Sequence, residues 1–233
     1  MKRIWKTVET IEAGLGFHIT LDDKPIKKPG GAALLVPFHP LAVAIAEEWR
    51  GAGLDGEDIK PDDLPLTRMA TTAIDRVATS HADIISQLVS YGLNDALCYR
   101  ADGPPSLNER EHAAWQPWLA WAAATYGVAL VTGVGVQPIT QPEDTGPKFQ
   151  KALQAFDIYQ LTALGVAVPA MGSLVLGLAL ANGRIDALSA FNVSQLEETY
   201  QIERWGIDDL AEQRRAGILA DLHLCVRFME LCR

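Results

Sequence analysis

The side chains in this chain best suited to acid–base chemistry are four acidic doublets: Glu47–Glu48, Asp62–Asp63, Glu197–Glu198 and Asp208–Asp209. Paired carboxylates can act as general acid and base when they converge on one substrate. Neighbours on a helix point about 100° apart, however, so a doublet is not a catalytic pair by itself. Acids at the start of a helix also favour the positive end of its dipole, and Asp208–Asp209 fits that reading. Two acidic clusters are less easily explained. In "EEWRGAG" a tryptophan, Trp49, follows the doublet at a helix end. In "SQLEETYQIERWG", plotted as one helix with its flank, Val193, Leu196 and Tyr200 form a core stripe. Glu198, Ile202 and Trp205 share a different face. An acid buried there unpaired would cost several kcal/mol or take up a proton. Glu198 therefore needs an Arg or Lys partner, with Arg68, Arg76 and Arg204 as candidates within the chain, or a place at a rim that water still reaches; with Ile202 and Trp205 beside it, a binding patch is the other reading.

Other chemistries find less support. His18, His39, His81, His112 and His223 are not spaced as metal ligands, and there is no CxxC or HExxH. "GLGFHI" and "TGVGVQP" contain GxG without the third glycine or the strand-to-helix setting of a nucleotide fingerprint. Ser173 lies in an apolar helical stretch without GxSxG, where a small residue allows close helix contact. Cys98 has no evident histidine beside it. The enzymatic alternative is a hydrolase-like site using Asp75, Arg76 or Glu198, which requires a pocket where at least two of them meet.

The elements that must position these residues can be read from periodicity and turn signals. The first third alternates in "RIWKTVET" and "FHITL", with turns at "EAGLG" and "DDKP", and reads as antiparallel hairpins. A helix is predicted over 40–50. The polar "LDGEDIKPDDLP" then marks a division, giving a β-rich domain with one helix at 1–58 and a mainly helical domain at 59–233. Ser80 is predicted to cap one helix. Ser106 with Glu109 reads as a capping box, and Pro117 should kink or divide the helix that follows. "GVALVTGVGVQP" is strand-like. The last helix runs over 208–232 with an apolar set including Leu210, Leu222, Cys225 and Met229. The fold class is α+β: a small β-rich N-terminal domain followed by a larger multihelical one.

Bulk properties bound the function. In 233 residues, 48% are apolar and 21% charged, as in a folded globular chain. A net charge of −9 disfavours nucleic-acid partners. Three cysteines suit a reducing compartment. The opening "MKRIWKTVET" does not read as a secretory signal. Residues 161–181 carry no charge and are long enough to span a bilayer. Pro169 and three glycines interrupt them, and mean hydropathy is only +0.07. The expectation is a buried apolar segment, a break, and then a helix with Pro169 in its first turn.

Several stretches together resemble the alpha-subunit assembly chaperones of the ATP synthase catalytic sector, the family known in mitochondria as assembly factor 2. They are "GFHITLDDKPIKKPGGAALLVP", "LAVAIAEEW", "IKPDDLPLTRMATTAID", "YGLNDALCYR", "WQPWLAW", "GSLVLGLALANG" and "LEETYQIERWG", in that order along nearly the whole chain. The resemblance implies a non-enzymatic protein without metal or cofactor. It implies a bacterial, cytoplasmic, monomeric member that binds the unassembled alpha subunit transiently and shields its beta-contacting surface. Carried onto this sequence, it favours Glu198, Gln201, Ile202 and Trp205 as partner-binding residues, with Trp49 a further candidate.

Overall fold

The computed structural model describes residues 1–54, 56–206 and 208–233. The chain divides into two compact units, Met1–Thr79 with Arg227–Arg233, and Ser80–Val226. The division lies at 79/80 rather than at the change in composition near 58. The helices after the connector pack with the helix before it.

The first unit is built on an antiparallel sheet. Strand β1 (Val8–Ala13) pairs along its length with β2 (Gly16–Leu21). β2 also pairs with two short strands, β3 (Lys24–Pro25) and β4 (Leu35–Val36). Asp22 and Asp23 make the β2–β3 turn with φ of 46° and 67°, the primed geometry that matches strand twist and that aspartate tolerates. Helix α1 (His39–Gly51) covers the sheet with Leu41, Ile45 and Trp49, residues four apart on one stripe. Its start carries Pro40, as the sequence predicts. Its end is closed by the Arg3 guanidinium, which donates to the carbonyls of Trp49, Arg50 and Ala52 at 3.2, 2.8 and 2.9 Å.

Helix α2 (Pro65–Thr72) follows and passes into a π-helical turn, Ala73–Val77. Glu48 caps α2, accepting from the N–H groups of Leu66 and Thr67 at 2.6 and 3.0 Å. Half of the first acidic doublet is thus a helix cap. Burial raises its pKa against those hydrogen bonds.

The second unit is helical: α3 (His81–Leu93), α4 (Pro105–Tyr126), α5 (Thr145–Leu153), α6 (Ile158–Met171), α7 (Leu174–Ala181), α8 (Ala187–Ser194), α9 (Leu196–Trp205) and α10 (Asp209–Leu231), whose last residues group with the first unit. Two short strands, β5 (Tyr99–Arg100) and β6 (Gly133–Val134), pair in parallel, so only two residues of the strand-like "GVALVTGVGVQP" are strand. All eight residues of α7 are buried, and α3, α4, α6 and α8 pack around it. With the larger part of α6, α7 makes up the uncharged 161–181 stretch. No helix among the described residues is long and apolar enough to cross a membrane. The break lies at Gly172, in the left-handed region at φ 66°. Pro169 falls in the last turn of α6, not the first turn of the next helix.

Local expectations at four positions need correction. Ser173 is the N-cap of α7, accepting from Leu176 N–H at 3.1 Å, rather than a packing spacer. Of the two expectations at Pro117, division fails, because α4 runs on through it as one helix. Ser106 lies inside the first turn of α4, after the cap position at Pro104, and its hydroxyl bonds elsewhere. The side chain of Ser80 likewise makes no capping bond, although the residue stands at the cap position of α3. Gly92 has a packing reason. A Cβ there would lie 2.6 Å from the Phe149 ring and 2.7 Å from Leu174, so α3 can approach its neighbours only without a side chain.

Candidate partner-binding surface

"SQLEETYQIERWG" is not one helix with its flank. The chain breaks at Gln195, whose φ of −100° and ψ of 21° separate α8 from α9. Val193 lies in the last turn of α8, while Leu196 and Tyr200 lie on α9. The inward face is real at Tyr200, which is buried. Its hydroxyl meets Ser106 Oγ on α4 at 2.7 Å, and the Arg204 guanidinium lies over its ring at 3.4 Å. Further ties to α4 come from Trp115, whose Nε1 donates to the Val193 carbonyl at 2.9 Å, and from Arg110, paired with Glu203 at 2.7 Å.

Glu198 is half-buried and ion-paired. Its partners are Arg214 and Arg215 on α10, not Arg68, Arg76 or Arg204. Arg214 makes the close contact, and Arg215 Nη1 lies 3.7 Å away. Arg215 also donates to Thr199 Oγ1 at 3.0 Å and lies over the Phe191 ring. Gly206 stands midway in sequence between Glu198 and Arg214, as expected when α9 and α10 return on each other around that turn. Asp208 starts α10 as its cap, accepting from Ala211 N–H at 2.8 Å, which places the fourth acidic doublet at a helix N-terminus.

The outward side of the turn is apolar. Trp205 is 77% exposed and Leu210 78% exposed. Leu210 belongs to the predicted core set, but it lies in the first turn of α10 and faces solvent. Gln201 is exposed and Ile202 half-buried. Beside this face, Arg110, Ala113, Ala114, Asn192, Leu196 and Thr199 line an open groove of about 480 Å³ between α4 and the α8–α9 corner. Trp49 does not belong to such a surface. It is 8% exposed, packs on Trp5 with ring centroids 5.2 Å apart, and donates from Nε1 to Thr67 Oγ1 at 3.0 Å. Its place beside an acidic doublet reflects the end of α1, where a large amphipathic ring closes the core.

Cys98, Cys225 and Cys232 are buried. Burial pushes the thiols of Cys98 and Cys225 up to about 12, the inert end of cysteine reactivity. Asp75 is ion-paired with Lys28. Among the described residues, no three His, Cys, Asp or Glu side chains gather as a metal requires.

Solved structures place this architecture among chaperones. The chain matches Atp12 from Paracoccus denitrificans at 38% identity, with a TM-score of 0.92, over 100% of this chain and 98% of that one. A protein of Agrobacterium tumefaciens matches at 31% identity and a TM-score of 0.92, over 100% of this chain and 86% of that one. The class is therefore an α+β chaperone, shared along the full chain. The model of the ATP12 chaperone protein matches residues 2–123, and the mitochondrial protein atp12 of Schizosaccharomyces pombe is 26% identical over 216 residues, 88% of this chain and 74% of that protein. The chain belongs to the ATP12 chaperone family, whose members serve ATP synthase assembly.

Proposed function

We propose that this protein binds the unassembled alpha subunit of the ATP synthase catalytic sector and shields the surface that later meets a beta subunit. It acts without catalysis, in the bacterial cytoplasm, as a monomer that leaves when the ring forms. The observation that carries the reading is the exposed Trp205, set on a helix that is firmly tied down behind it. Monomeric proteins seldom leave a tryptophan so open, and tryptophan is enriched among residues that dominate interfaces. Ile202 and Gln201 extend the contact, and Glu198 holds its rim through the arginines of α10. Such a mixed face suits a transient shield better than a dry hydrophobic one, because a competing subunit can displace it.

The test is capture of separately prepared alpha and beta subunits by the immobilised protein. Retention of alpha and not beta is expected. Retention of neither, or of beta alone, overturns the assignment.

A further inference from the structure

Pro117 is the residue of α4 that the Trp205 surface leaves unexplained. A proline inside a helix has no N–H, so the carbonyl four residues earlier loses its intrahelical donor, and the helix is less stable for it. Here α4 runs on through Pro117, and the carbonyl left over is that of Ala113. Ala113 lines the open groove between α4 and the α8–α9 corner, and Pro117, one turn further along the same side, is exposed. Helix carbonyls point along the axis toward the residue four positions on, so this acceptor opens at the α4 wall of the groove. The rest of the groove is mixed in character. Ala113 and Ala114 are small and leave room, and Leu196 lines the α9 side. Leu188, one turn before Asn192 on α8, is 51% exposed and lengthens the apolar wall. Asn192 is exposed and offers an amide donor and an amide acceptor across from α4. Arg110 is already paired with Glu203. Glu109, one turn before Ala113, is exposed, and no Lys or Arg among the described residues pairs with it. The charge left open at this end of the groove is therefore negative.

We propose that this groove holds a short extended segment of the alpha subunit in which an aliphatic side chain stands next to a lysine or arginine. The aliphatic group lies on Ala113, Ala114 and Leu196. A main-chain N–H of the segment donates to the Ala113 carbonyl, a main-chain carbonyl accepts from the Asn192 amide, and the cation meets Glu109. An extended peptide carries this alternation of donor and acceptor along its length, and the open carboxylate selects a basic one. Pro117 keeps free an acceptor that another residue at that position would fill from within the helix. That the segment belongs to the alpha subunit rests on the function proposed above, to which the groove adds a second contact besides Trp205.

The experiment is titration calorimetry of the isolated alpha subunit against the native protein, Pro117→Ala and Ala114→Phe, with thermal scans of the three free proteins. Pro117→Ala supplies the N–H that occupies the Ala113 carbonyl. It should melt higher than the native protein and yet bind alpha about fivefold more weakly. A residue with a purely structural role would not give greater stability with lower affinity. Ala114→Phe fills the groove and should weaken binding by about tenfold or more. Glu109→Gln should weaken binding at low salt and match the native protein at high salt. Native affinity in both Pro117→Ala and Ala114→Phe overturns the groove and leaves the Trp205 surface standing. Concentration-dependent dimerisation of the native protein that Ala114→Phe abolishes would show a second copy of this chain as the occupant, and it also overturns the proposal. A native protein that fails to bind alpha overturns the function on which both contacts rest.

Discussion

Replacing Trp205 with alanine should weaken capture of the isolated alpha subunit by about 30-fold or more, with no change in melting temperature. The two halves of that expectation have one cause. A side chain 77% exposed contributes little to the free protein, so its removal leaves stability within about 0.5 kcal/mol. The same indole buried at the centre of an interface is worth about 2 kcal/mol or more, and that is roughly 30-fold in affinity. Titration calorimetry with the native and Trp205→Ala proteins reads the affinity, and thermal scans of the two free proteins read the stability. Equal affinities would remove Trp205 from the contact. Glu198→Ala is less clean, because it also breaks the pairing with Arg214 and Arg215 that ties α9 to α10.

The largest expected loss of stability comes from Asp95→Ala. Asp95 is fully buried, and burial pushes its carboxyl up to about 6. One oxygen accepts from Leu97 N–H at 3.1 Å, at the start of the single turn Ala96–Cys98, and the other from Val175 N–H at 3.0 Å, at the start of α7. One side chain therefore caps two helical segments, one of them the central helix of the second unit. Alanine leaves both donors buried and unpaired, at about 1–3 kcal/mol each. A loss of about 2–5 kcal/mol follows, which lowers the melting temperature of a protein of this size by roughly 5–15 °C. Urea unfolding and thermal scans check it. A shift no larger than that of an exposed change such as Glu47→Ala would show that these donors find other partners.

Much of the fold is legible in the sequence because local signals there agree. Alternation with Gly, Asp and Pro turns marks the N-terminal sheet, and the 3.6-residue period marks α1. The uncharged 161–181 stretch is legible as buried helices because Gly172 interrupts it, although the placement of Pro169 is not. The break at Gln195 escapes because neither glycine nor proline announces it, so a periodic reading joins Val193 to the wrong helix. The exposure of Leu210 escapes for a related reason. It keeps the spacing of the core set but falls in the first turn, before α10 meets the rest of its unit. The partners of Glu198 escape because pairing across a helix–turn–helix is set by where the turn falls, and Gly206 is the one residue that signals it. Family resemblance carries what spacing cannot, the order of motifs along the whole chain. It does not separate Trp49, which closes a core, from Trp205, which faces solvent.

The shielding of the alpha subunit is tested most directly by challenge of the preformed complex. The purified complex of this protein with alpha is mixed with beta subunit and resolved by gel filtration. The expected result is alpha with beta in one species and this protein free in another, because both compete for one surface. A stable species containing all three would contradict it.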